Sequence, residues 1–295
     1  MSGRPGSAVL DRRRTLAAVA AHVRCPVCGD PVSVGDAQVT CVRGHGFNIA
    51  RQGYVSLTDG RGGPGTGDSA AMVLARERFL GAGHYRPVAD ALRSAAGGSG
   101  AAGGSGAAGL VLDLAGGTGY YLALVLDALA DRLGACVDLS APALRRAVGA
   151  HPRAAALGAD AWRRLPLADG CAGLVLSVFG PRNPAEIRRV LAPGGTLVVA
   201  TPGPSHLAEL RGPLGLIGID ERKSERLADA YGGYGGPALT AVRYELRLGR
   251  DDLTDLVAMG PSARHIEADA LAGLVAGLPS PVPVTVDVEV RSYQG

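Results

Sequence analysis

From Leu110 onward, short β-rich runs alternate with helical stretches. That alternation limits the fold more than any other feature, because it calls for a mainly parallel sheet with helices on both faces. The strand candidates are LVLDLA (110–115), ACVDLS (135–140), AAALGAD (154–160), GLVLSVF (173–179) and GTLVVAT (195–201). YLALVLDALADRL and AEIRRVLAPGG are helical stretches between them, the second ending at Pro-Gly-Gly ahead of a buried strand. After Pro204 the order loosens to a YELRLG strand near 244, a helix near 252–259 and an alternating VTVDVEV run over 284–290, a final antiparallel pair that would close such a sheet. The expected class is α/β with a Rossmann-like sheet.

The chemistry of that sheet is written in LVLDLAGGTGYYLALVL. A strand ends at Asp113, a turn carrying Gly116, Gly117 and Gly119 follows, and a helix begins, so backbone can approach a ligand closely at the C-terminal edge of the sheet. Asp138, at the end of the second strand candidate, can bind the two hydroxyls of a ribose, so the pair indicates an adenosine-containing cofactor. Dinucleotide sites use G-x-G-x-x-G to bring a pyrophosphate to a helix N-terminus. Here the spacing is D-x-A-G-G-T-G, and an aspartate beside a pyrophosphate would be repulsive, whereas it suits the ammonium of a methionine moiety. S-adenosylmethionine is therefore the expected cofactor. Thr118 within the turn and Asp160, at the end of the third strand candidate, are counted with the cofactor-binding residues.

Ahead of this region, CPVCGDPVSVGDAQVTCVRGHGF holds Cys25 and Cys28, then twelve residues, Cys41, three residues and His45. Two such pairs supply the four soft or borderline donors of a tetrahedral zinc ion, and four protein ligands leave no open position, so a structural role is expected. Pro31, Gly35 and the alternating Val32 and Val34 argue for a small ribbon rather than a finger helix between the pairs; His22 is the poorer candidate for the fourth ligand. Cys136 and Cys171 lie beside apolar runs and read as buried reduced thiols, with no disulfide framework.

Three composition shifts suggest the organisation: residues 23–60 a zinc-ribbon module, 61–109 a helical linker region, and 110–295 the cofactor-binding domain. In the linker region, GRGGPGTG (60–67) reads as a flexible loop. DSAAMVLARERFLGAGHY reads as one amphipathic helix capped by Asp68 or Ser69, and AAGGSGAAGGSGAAG (95–109) as a flexible tract. The 295 residues, 47% hydrophobic and 19% charged, contain no apolar run of the roughly 18 residues needed to cross a bilayer. No membrane association and no signal peptide are expected, and the cytoplasm is the expected location. A net charge of +3 neither demands nor excludes nucleic acid, and Lys223 is the sole lysine, so the positive charge is almost all arginine.

The combination CPVC…C-x3-H, GFNIARQGYVSL, GDSAAMVLARERFLGAGHY, DLAGGTG and ATPGPSHLAEL, from about Cys25 to Leu210, resembles the bacterial large-subunit ribosomal RNA guanine-N1 methyltransferases. The resemblance implies an N-terminal zinc ribbon joined to a class I S-adenosylmethionine-dependent methyltransferase sheet. It also implies methylation of a guanine N1 in a 23S rRNA hairpin loop near the peptide exit tunnel, a mark that confers macrolide resistance in some members. It places the zinc ligands on Cys25, Cys28, Cys41 and His45, the glycine turn on Gly116 to Gly119, and cofactor contacts on Tyr85 and His206. Ala115 departs from the pattern, standing where the usual turn has its first glycine. The expected acceptor segment is VFGPRNP (178–184), with Arg182 or Asn183 toward guanine O6; Arg24, Arg43, Arg51 and Arg61 would meet phosphates. No general base is named beyond Asp68 as a motif residue, a homodimer is left open, and the alternatives are a small-molecule methyltransferase or a non-enzymatic zinc-ribbon adaptor.

Overall fold

The strand pattern read from Leu110 closes into one mixed sheet. The computed structural model describes residues 5–58, 67–97, 109–181, 183–216, 231, 234–235 and 237–295, with 5–11 described by backbone alone. Most of the 60–67 loop, residues 98–108 of the Gly/Ser tract, Arg61 and Arg182 lie outside the described residues.

The chain opens with helix α1 (Pro5–Ala20) and a small antiparallel sheet of β1 (Val32–Val34), β2 (Gln38–Cys41) and β3 (Gly46–Asn48). Strand β4 (Val55–Ser56) and helices α2 (Ala70–Gly81) and α3 (Arg86–Gly97) follow. The α/β region comprises β5 (Leu110–Leu114), α4 (Tyr120–Ala128), β6 (Gly134–Asp138), α5 (Ala141–Ala147), β7 (Ala154–Gly158), β8 (Ala172–Val178), α6 (Pro184–Val190) and β9 (Leu191–Pro202). It ends with α7 (Ala208–Leu214), β10 (Ala238–Leu248), α8 (Arg250–Ala258), α9 (Ala268–Ala276) and β11 (Val282–Gln294).

The large sheet runs β10-β11-β9-β8-β5-β6-β7-β4, with β11 antiparallel to both β9 and β10 and the remaining neighbours parallel. The chain winds from β5 outward through β6 and β7, then resumes on the other side at β8. The crevice at the carboxyl ends of β5 and β8 is thus the switch point where such sheets bind ligands. Alternation sorts the side chains: Leu110, Leu112 and Leu114 pack on the face of α1 and α6, Val111 on the face of α3 and α4. Asp113 shares Val111's parity and so faces α4. Val284, Val286, Val288 and Val290 line that same face from β11, the pattern expected of VTVDVEV.

Some expectations shift. Helix α4 stops at Ala128, and β9 starts at Leu191, paired with Ala172, so the Pro-Gly-Gly turn lies inside an extended strand rather than ending the helix. The tract expected to be flexible from residue 95 is helical through Gly97, where α3 buries Val88, Ala89, Leu92 and Ala96. Helix α9 was not expected in the looser region. No described helix is long and apolar enough to cross a membrane.

The ribbon is stitched to β7 and to the loop that follows it. Val55 and Ser56 of β4 pair with Leu157 and Gly158 of β7; the Arg24 amide donates to Pro166 O (2.9 Å) and the Ala168 amide to His22 O (2.8 Å). Helix α2, capped by Ser69 Oγ accepting the Met72 amide, buries Met72, Val73, Ala75, Phe79 and Leu80. Its Arg78 Nε donates to Asp255 Oδ2 of α8 at 2.7 Å, pairing an otherwise costly buried carboxylate.

Candidate zinc centre and cofactor site

Each pair of expected metal ligands sits on a tight knuckle. The Gly29 amide donates to Cys25 O and the Gly44 amide to Cys41 O, and both glycines take the left-handed backbone (φ 79° and 80°) that lets the chain fold back under the sulfurs. The strand pairing Val32 to Cys41 then brings the knuckles together. Cys25, Cys28, Cys41 and His45 offer ligand atoms all within 4.8 Å of one another. Cys28 Sγ lies 3.6 Å from Cys41 Sγ, and His45 Nδ1 lies 3.6 Å from Cys25 Sγ and 3.3 Å from Cys41 Sγ. A tetrahedral ion with sulfur at about 2.3 Å and nitrogen at about 2.0 Å needs edges of about 3.5–3.8 Å, so the donor set fits zinc, and His45 would hold it through Nδ1. His22 is not in the cluster.

At the crevice, Asp113 is 1% exposed and, among the described residues, neither oxygen has a hydrogen-bond partner of ordinary geometry. Burial, with the like charge of Asp138 beside it, pushes its carboxyl up to about 8, while the Leu122 amide in the first turn of α4 draws it partly back. An orphaned carboxyl of this kind fits a cationic ligand group, which would return it to the charged form. A Cβ on Gly116 would stand 2.6 Å from Asp113 Oδ2 and 2.7 Å from Cys136 Sγ, so this turn residue has room for hydrogen alone. Ala115 takes a left-handed backbone (φ 54°), the strain expected where the usual glycine is missing.

Asp138 ties the turn to the second strand: Oδ2 accepts the Gly117 amide at 2.9 Å and Oδ1 the Ser140 amide at 2.8 Å. Burial raises its pKa, and those two amides work against the shift. Each oxygen keeps a further lone pair for a hydroxyl donor. Thr118 is buried within the turn. Asp160, just past β7, accepts the Trp162 amide at 2.9 Å and lies 3.5 Å from Arg163 Nε.

Tyr85 and His206, 121 positions apart, meet: Tyr85 Oη is 3.3 Å from His206 Nε2. His206 is partly buried, its ring stacked on Phe179 at 6.0 Å between centroids. The Asp287 amide donates to His206 Nδ1 at 3.3 Å, which leaves the ring proton on Nε2, facing Tyr85. Asp287 of β11 also accepts the Ser205 amide through Oδ2, so a residue of the final strand sets the TPGPSH turn; nothing in the local sequence signals this.

Burial lowers the His206 pKa from 6.5 to about 4. The fold therefore holds the neutral ring. Its stabilisation is complete above about pH 6.5, where neither folded nor unfolded chain binds the proton, and is lost as pH falls toward 4. Between those limits the wild type should lose up to about 3 kcal/mol more than His206→Gln, measured by urea unfolding at stepped pH. Equal slopes would show that the native state protonates the ring freely.

Among the other expected residues, Asn183 caps α6 and donates from Nδ2 to Trp162 O at 3.0 Å. Asp68 does not cap α2; it pairs with Arg76 (2.5 Å) and Arg264 (3.0 Å). Arg76, from the GDSAAMVLARERFLGAGHY stretch, lies against the glycine turn: a Cβ on Gly117 would meet its Nη1 at 3.0 Å. Arg43 pairs with Asp30 at 2.8 Å, Arg24 donates to Val23 O and Ala21 O, and Arg51 is exposed.

The sheet order, the glycine turn between Asp113 and α4 and the closed Cys3His cluster define a class I S-adenosylmethionine-dependent methyltransferase with an N-terminal structural zinc ribbon. Residues 23–58 match the zinc-ribbon family described as RlmA, N-terminal. The chain is 45% identical over 278 residues to the 23S rRNA (guanine(748)-N(1))-methyltransferase of Streptomyces fradiae, covering 92% of this chain and 95% of the relative. It is 46% identical over 287 residues to a Micromonospora griseorubida protein provisionally named a 23S rRNA (guanine-N(1)-)-methyltransferase, covering 92% and 97%. A similarly named Bacillus subtilis protein is 31% identical over 194 residues, covering 64% of this chain and 67% of the relative. The chain belongs to the 23S rRNA guanine-N1 methyltransferase family.

Proposed function

We propose that the chain methylates N1 of a guanine in 23S rRNA, the guanine lying in a hairpin loop. The observation that carries this reading is 45% identity across 92% of the chain to a relative whose name states that reaction. In this reading residues 23–60 grip the RNA, 110–295 hold the cofactor and target base, and 61–109 join them.

S-adenosylmethionine supplies an electrophilic methyl on a sulfonium, and the protein's task is alignment and exclusion of water. Asp113 would face the ammonium of the methionine end. Asp138 would accept from the ribose hydroxyls, Asp160 would serve the adenine end, and the Gly116–Gly119 turn would admit the ligand to van der Waals contact with backbone. Tyr85 and His206 would wall the space beside the methyl. The guanine N1 proton must leave, and these side chains are poor acceptors: the neutral His206 uses its Nδ1 lone pair on Asp287, burial raises the Tyr85 pKa far above neutrality, and Asp68 is held by two arginines. Asn183, tied to Trp162, stands beside the segment that would receive the base.

Primer extension on 23S rRNA from cells with and without the protein tests the reading, because a methyl on N1 blocks base pairing. The expected result is a new stop immediately 3′ of one guanine in a hairpin loop, dependent on the protein and lost in an Asp138→Ala variant. Identical stop patterns in both rRNA samples would refute it.

A further inference from the structure

Trp162 is the only tryptophan of the chain, and it is 67% exposed. A large aromatic side chain usually finds cover in a folded domain. The loop that presents this one is held firmly. The Trp162 amide donates to Asp160 Oδ1, its carbonyl accepts Asn183 Nδ2, and the Arg163 amide donates to Asp160 O. Downstream the Leu165 amide donates to Glu186 Oε2 at 2.9 Å, and Leu165 and Leu167 are buried. The backbone is anchored on both sides while Trp162, Arg163 and Arg164 stand outward. Arg163 leans on Asp160 at 3.5 Å. Arg164, with a side chain 74% exposed, is 4.0 Å from Asp169, whose charge Arg189 already meets at 2.6 Å. Its guanidinium is left largely available.

The position matters as much as the exposure. Asp160 follows β7 and Asn183 follows β8, so the Trp162 loop bridges the cofactor end of the sheet and the segment expected to receive the acceptor base. Phe179, 40% exposed on a left-handed backbone (φ 54°), projects from that same segment. We infer that Trp162 is an RNA contact: its ring stacks on an unpaired nucleotide of the substrate loop, next to the extruded guanine, while Arg164 meets a flanking phosphate. Single-stranded RNA is recognised in this way, by aromatic faces that accept any base and arginines that follow the backbone. The inference rests on the proposed rRNA substrate and adds a gripping point on the sheet domain itself, in the loop whose far end, Pro166 to Ala168, meets the start of the ribbon.

A lone tryptophan makes the test direct. Full-length protein is titrated with an unmodified 23S rRNA transcript, and binding is read by tryptophan fluorescence and, for Trp162→Ala and Trp162→Phe, by filter retention. RNA should shift or quench the fluorescence. Trp162→Ala should weaken RNA binding by roughly 5- to 150-fold, with Trp162→Phe recovering most of it. S-adenosylhomocysteine affinity, measured by calorimetry, should be the same in all three proteins, and the exposed substitutions should leave thermal stability unchanged. Unchanged RNA affinity in Trp162→Ala, with the wild type still methylating the transcript, overturns this inference and leaves the proposed reaction standing. So does fluorescence that responds to S-adenosylhomocysteine and not to RNA, which would make Trp162 a cofactor residue. A wild-type chain that neither binds nor methylates the transcript removes both.

Discussion

Removing the metal with a chelator should unfold residues 23–58 while β5 to β9 stay folded. The ribbon has two- to four-residue strands and little apolar interior beyond Val39 and its neighbours, far too little to offset the entropy of ordering it. In isolated small zinc domains the ion supplies an apparent 10–16 kcal/mol at neutral pH, which is effectively their folding free energy. Here the contacts of Val55 with β7, and of Val23 and Arg24 with the loop that follows β7, return part of it. Amide hydrogen exchange before and after chelation should show protection lost across the ribbon and kept in the five parallel strands. Cys41→Ser should behave as the stripped protein does, with zinc content falling in parallel. Protection that survives both treatments would mean that the cluster is not what holds the ribbon.

Gly116→Ala should weaken cofactor binding severely, and its neighbour Ala115→Gly should not. At 116 a methyl group would lie 2.6 Å from a carboxylate oxygen and 2.7 Å from a sulfur, both on fully buried side chains. The turn must move, at an overpacking cost of about 1–3 kcal/mol, and the backbone lining the site moves with it. S-adenosylhomocysteine affinity, measured by calorimetry, should fall by about 100-fold or more, since about 2.7 kcal/mol of lost contact corresponds to that factor. At 115 the change works the other way. Glycine relieves a left-handed alanine, about 1–2 kcal/mol, against about 0.4–1 kcal/mol of added chain entropy when unfolded. That variant should bind normally and melt at the same temperature or slightly higher. Normal affinity in Gly116→Ala would place the cofactor elsewhere.

What could be read from residues alone was whatever chemistry demands locally. Zinc needs four soft or borderline donors at short spacings, so Cys25, Cys28, Cys41 and His45 were legible as a set. A close backbone approach needs glycine, so the Asp113 to Gly119 turn was legible too. One buried face imposes period two on β11, so alternation alone marks Val284 to Val290 as a strand. The rest depends on distance along the chain. Tyr85, Phe179 and His206 come from three separate segments, and Asp287, which sets the His206 tautomer, comes from a fourth. Helix α3 was half hidden in an alanine- and glycine-rich tract, although Pro87 sits early in its first turn, where proline is tolerated. Strand β4 is two residues long and has no period to detect. Trp162 could have been noticed as a lone aromatic before two arginines, but its exposure is a property of the folded loop.

The pairing of β4 with β7 also bears on what the chain does while it is being made. Val55 and Ser56 cover the outer edge of β7, which would otherwise offer bare amide and carbonyl groups to any strand nearby. Synthesis runs from the N-terminus, so the ribbon emerges and can load its ion well before β7 exists. The cover is ready before the edge it must cover. In a zinc-starved cell that order fails: the rung is absent when β7 appears, and aggregation, rather than slow catalysis, is the first symptom to look for.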